Sequence, residues 1–74
     1  MHTVVAAGLI RETARLIQTG VDMDAAIQSV TKGSSREIRE AYVEFIQEHT
    51  PRVRKVTQET VRLSILRAAS SLCA

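Results

Sequence analysis

Cysteine occurs once in this 74-residue chain, as Cys73, proline once, as Pro51, and tryptophan not at all; Tyr42 and Phe45 are the only aromatic residues. A lone cysteine excludes an intramolecular disulfide, and His2, His49 and Cys73 lack the paired short spacings of a zinc site. Cys73, next to the C-terminus, reads as a free surface thiol that oxidation could use to cross-link a dimer. Two rings are too few for the stacking platforms of single-strand and RNA binders. There is no Gly-rich phosphate loop and no nucleophile-and-histidine constellation, so neither an enzyme nor a cofactor is expected. The longest apolar start, Val4 to Ile10, is cut off by Arg11-Glu12 and is too short to cross a bilayer. Only His2 precedes it, where a secretory signal wants basic residues. The expected compartment is the cytoplasm, with no membrane partner.

A single domain of this size buries only about 60% of the surface its unfolded chain exposes. With no disulfide or metal to help, association with a second copy or another partner is the remaining way to bury more.

The pattern that is present is helical almost from end to end. The first helix runs from about residue 3 to Thr19, with Ala6, Leu9, Ile10, Thr13, Leu16 and Ile17 on one face, and Gly20 closes it. Asp22 is placed to cap a short second helix, about Met23 to Thr31, on which Met23, Ala26, Ile27 and Val30 share a face. Lys32-Gly33-Ser34-Ser35 reads as a turn, and either serine can cap the third helix, about Arg36 to Glu48. Ile38, Ala41, Tyr42, Phe45 and Ile46 form its core face, Glu37, Glu40, Glu44 and Glu48 one flank, and Arg36, Arg39 and Gln47 the other. The i,i+4 glutamates read as a solvated flank rather than a metal row, since no further ligand joins them.

Thr50-Pro51 reads as N-cap and first residue of a fourth helix running to about Leu72. Its apolar residues follow two lines: Val53, Val56, Thr60 and Leu63 on one, Val61, Ile65, Ala68 and Leu72 on the other. A helix with two apolar faces either bends across its own domain or packs its second half on a copy of itself. The second option makes Val61, Ile65, Ala68 and Leu72 a homodimer seam.

Charge divides the chain at the same place. Residues 1–49 carry five basic and seven acidic side chains, net −2, whereas residues 50–74 carry Arg52, Arg54, Lys55, Arg62 and Arg67 against Glu59, net +4. On a continuous helix Arg54, Lys55 and Arg62 would lie within roughly 80° of one another. Such a cluster can meet a phosphate backbone or an acidic surface.

The stretch from Leu16 to Ile38, with its glycine-closed helix, capped short helix bearing Ala26 and Ser-initiated third helix, resembles the trihelical helix-turn-helix domains of bacterial repressors and transposases. The resemblance covers about residues 9–48. The turn is about two residues longer than usual, and Val30 stands where glycine is typical. It implies that Ala26 packs under the next helix and that Ser34, Ser35, Arg36 and Arg39 face the groove or phosphates of duplex DNA. Independently of it, the basic cluster Arg52, Arg54 and Lys55 is a second candidate phosphate contact. The expectation is therefore an all-α, single-domain protein: a trihelical body (1–49) and a long basic C-terminal helix (50–74), acting as a homodimeric, non-enzymatic DNA-binding regulator. The alternative is a small helical adaptor or inhibitor that binds another protein.

Overall fold

The computed structural model describes residues 2–73, Cys73 through its backbone alone, so the reading of the Cys73 thiol lies outside the described residues. The chain forms four helices, α1 (His2–Gln18), α2 (Met23–Thr31), α3 (Arg36–Glu48) and α4 (Gln58–Cys73), with no strand among the described residues. The fold is all-α, as the periodicity requires.

The three expected boundaries in the body are present, each with its chemistry. Gly20 takes φ +99°, and the bonds from Val21 N–H to the Leu16 carbonyl (3.0 Å) and from Gly20 N–H to that of Ile17 (3.1 Å) close α1 in a Schellman motif. The Asp22 carboxylate accepts the Ala25 N–H at 3.4 Å, and Ser35, the serine that caps α3, accepts the Ile38 N–H at 3.2 Å. Gly33 supplies the second left-handed turn residue, at φ +78°.

α1 is the central element: α2, α3 and α4 all pack on it, and α3 also touches α4. Its residues Ala6, Ile10, Thr13, Ala14 and Ile17 are buried. Ala26 from α2, Tyr42 from α3 and Ile65, Ala68 and Ala69 from α4 complete the core. Five of these nine buried apolar residues are alanines, which let helices approach closely but contribute little apolar area each. Only Tyr42 of the expected α3 face is fully buried; Ile38, Ala41, Phe45 and Ile46 are half-covered.

The C-terminal region departs from expectation. α4 starts at Gln58, not at Pro51, and residues 51–57 form a non-helical linker with a bend at Arg54-Lys55. Three effects explain this. The residue before a proline is driven out of the helical region, so Thr50 cannot carry α3 on past its cap at His49 into a following helix. A helix begun at Pro51 would hold Arg52, Arg54 and Lys55 near the positive end of its dipole, at about 0.3–1 kcal/mol each. Val53, Val56 and Thr57 add β-branched stiffness. Thr57 offers a better start: its hydroxyl accepts the Thr60 N–H, and Thr60 Oγ1 accepts the Thr57 N–H, both at 3.3 Å. This is a capping box with threonine in the third position, and Glu59 suits the helix dipole. Thr50 is accordingly not a cap. Its hydroxyl donates to the Ile46 carbonyl at 2.9 Å and accepts from Ser64 at 3.0 Å, tying the end of α3 to α4.

The supposed seam on α4 is also reassigned within the chain. Ile65 and Ala68 have no exposed surface and Val61 and Leu72 lean on the same core, so this line docks α4 onto its own body. The other line is the uncovered one: Val53, Val56 and Leu63 are exposed.

Candidate functional site

α3 carries both signs of charge on its outer surface, with Arg39 toward one edge, Glu48 toward the other, and Arg36, Glu40 and Glu44 between them. Val56 of the linker shares an apolar groove of about 560 Å³ with Ile27, Tyr42, Val43, Ile46 and Val61. The linker therefore turns back along α3 after leaving it, with Arg54 and Lys55 exposed at the bend just before Val56. Arg39 lies one helical turn before Val43 and 40° from it around the helix, so it belongs to the same flank. Glu44 and Glu48 lie on the opposite flank, beside Thr3 of α1, with Ala41 and Phe45 between them. Glu37 continues that acidic line by helical position, while Glu40 and Glu44 also share a surface concavity with Arg36, Arg39 and Val43, so the acidic line borders the basic one.

The residues singled out in the sequence fare differently. Arg39, Arg52, Arg54 and Lys55 are all exposed and, among the described residues, none has a carboxylate within ion-pair distance. Arg36 pairs with Glu40 at 2.9 Å, but both side chains are more than half exposed. Such a pair is worth about 0–1 kcal/mol, so an external anion can take Arg36 from it. Arg15 is engaged in the same way with Glu12, which holds that carboxyl below its usual range through the guanidinium hydrogen bond.

The α3 N-terminus is already served. Ser35 spends an acceptor lone pair on its own helix, and Glu37 sits at the same end, its carboxyl held low by its own backbone N–H and then by the Ser35 hydroxyl. A phosphate arriving there meets a carboxylate. Ser35 is thus a cap first, and Ser34 is half-buried, which shifts the weight of any anion contact from the serines to the arginines and the linker. With Arg54 and Lys55 off the helix, the expected wheel alignment with Arg62 does not form; Arg52, Arg54 and Lys55 lie together on the exposed linker instead.

Sequence reasoning passed over the apolar groove. Its one signal was Val43, an apolar residue among the arginines of α3, which is 49% exposed at the rim. His49, at the end of α3, stacks on Phe45 with ring centroids 5.3 Å apart and has Nδ1 3.0 Å from the Phe45 carbonyl oxygen, a helix-end contact. Among the described residues no group of three or more His, Cys, Asp or Glu side chains could hold a metal, and no helix is long and apolar enough to cross a membrane. Compared with protein-family models, curated proteins and solved structures, the chain matches none.

Proposed function

We propose that the protein is a small non-enzymatic DNA-binding regulator that acts as a homodimer. The observation that carries this reading is a set of exposed cations that, among the described residues, have no carboxylate partner: Arg39 on α3 and Arg52, Arg54 and Lys55 on the linker. A duplex that meets them releases counterions, and since Glu40 and Glu44 border Arg39 on α3, the linker is the stronger phosphate contact. α2, with Ala26 fully buried, packs on α1 and scarcely on α3, so the expected packing of Ala26 under the next helix does not form, and what supports placing α3 at the major groove is its solvent-facing outer surface alone. In this reading Arg36 and Arg39 are the base-reading candidates, and the linker is the anchor.

Labelled duplex titrated at rising salt tests it. Alanine at Arg52, Arg54 and Lys55 should weaken binding to every sequence and flatten the salt dependence, each lost phosphate contact lowering the slope by about 0.9. Alanine at Arg36 and Arg39 should instead narrow the gap between preferred and random sequence. Absence of any duplex binding by the wild type at about 50 mM salt would refute the reading.

A second reading, a protein-binding adaptor, is favoured by one observation: the groove between Val43 and Val56 is apolar, and DNA has no use for it. Val43→Ser separates the two, because it should weaken protein capture while, adding no charge, it leaves the salt slope on DNA unchanged.

A further inference from the structure

The chain carries two helix-start signals for its last helix, and they are seven residues apart. Thr57, in a capping box with Thr60, is the start in use, whereas Thr50-Pro51, a cap residue followed by proline, is bypassed. Seven residues are close to two helical turns, so a helix begun at either point presents its later residues in nearly the same orientation. Between the two starts lies the linker, whose residues 52–57 are all exposed. Along it Val53 and Val56, with Thr60 and Leu63 after them, are spaced 3, 4 and 3 apart, the interval of a helix-pairing seam. That stripe exists only if the helix is continuous. In the folded-back chain its apolar members stay uncovered, Val53 at 46%, Val56 at 60% and Leu63 at 41% exposure.

The docking half of α4 cannot be dispensed with. Ser64, Ile65, Ala68 and Ala69 are buried against the body, and α1 has no other element to cover that side. A helix running unbroken from Pro51 would remove the reversal that brings this half home. It would then have to cover the α1 of another molecule.

We propose that the chain dimerises by exchanging α4: residues 51–57 become helical, Ile65, Ala68 and Ala69 of each copy dock on the α1 of the other, and the Val53-Val56-Thr60-Leu63 stripes of the two long helices pack together. Exchange repeats contacts that the single chain already makes and adds only the hinge pairing, which is why its cost is low. In the single chain the cations of the linker hold the switch in the folded-back form, because they oppose a helix N-terminus at Pro51. An anion bound to Arg52, Arg54 and Lys55 would lift that opposition. The inference deepens the dimeric part of the functional reading and is tested without DNA.

Sedimentation equilibrium of the full chain should show a species of twice the 8.2 kDa monomer mass that grows with concentration. Val56→Pro, which puts proline inside the continuous helix but outside α4, should leave a helical monomer. Should that variant lose its helical circular dichroism, a Gly-Gly insertion after Lys55 carries the same expectation. The double change R52E/R54E should act in the opposite direction and tighten dimerisation by about tenfold or more, since it replaces two unfavourable charges by favourable ones at each helix start. A wild type that stays monomeric at high micromolar concentration overturns the proposal, as does a dimer that survives both the proline and the Gly-Gly changes or is not tightened by the double reversal. A monomer that still binds duplex would sink the exchange alone and leave the DNA reading standing.

Discussion

Thr13 and Tyr42 form the one buried side-chain hydrogen bond that joins two helices in the core, with their oxygens 2.8 Å apart. The Thr13 hydroxyl hydrogen is directed at the Leu9 carbonyl, 2.7 Å away, so the phenol of Tyr42 is the donor to Thr13. Burial raises the Tyr42 pKa above its ordinary value of about 10 and outweighs the opposing hydrogen bond to Thr13. The sign for stability follows. A proton held more tightly in the folded state gives stability that is complete below the unfolded pKa and is lost as pH rises through the folded one. Urea midpoints should therefore hold steady up to about pH 9 and fall beyond pH 10, with absorbance at the phenolate band rising as the chain unfolds. Tyr42→Phe should remove that alkaline step attributable to the phenol and cost about 0.5–1.5 kcal/mol at neutral pH. A phenol that ionises at its ordinary pKa with the fold intact would contradict this.

At the level of elements, the start of α4 is the decisive junction. Thr57→Ala removes the acceptor for the Thr60 N–H and should lower stability by about 0.5–2 kcal/mol in chemical denaturation. Thr50→Ala should act by another route, loosening the Ser64 contact that ties α4 to α3. Chemical shifts of the single chain should show residues 51–57 outside the helical range in both variants. The two sites show how far the sequence could be read. Gly20, Asp22 and Ser35 were legible because a positive φ and a capping side chain are local requirements, met by the residues that stand there. The break before Gln58 was not, since Thr50-Pro51 satisfies the same local rule and loses only through the charges of the linker and the need of α4 to return to α1. Of the candidate site, the cluster of cations was legible from composition; their place on an exposed, non-helical linker depends on the break before Gln58 and was not.

At the scale of the whole molecule, a narrow core sets the margin. Among the described residues Ile10, Ile17, Tyr42 and Ile65 are its only large buried apolar members, and α4 supplies just one of them. A domain of this length has about 4–11 kcal/mol of stability at the usual value per residue. Ile65→Ala, at about 2–5 kcal/mol for a buried isoleucine, removes a large share of that. It should lower the urea midpoint sharply, in the folded-back chain and in an exchanged dimer alike, because Ile65 covers α1 in both. Leu63→Ala makes the complementary case. Leu63 lies on the uncovered stripe, so its loss should hardly change the midpoint of a dilute, monomeric sample while weakening association at high concentration. Denaturation of both variants at two protein concentrations distinguishes the roles: Ile65→Ala should shift the midpoint at each concentration, and Leu63→Ala only at the higher. Equal shifts from the two residues would mean that the Val53 to Leu63 stripe supports the single chain and is not held in reserve for a second copy.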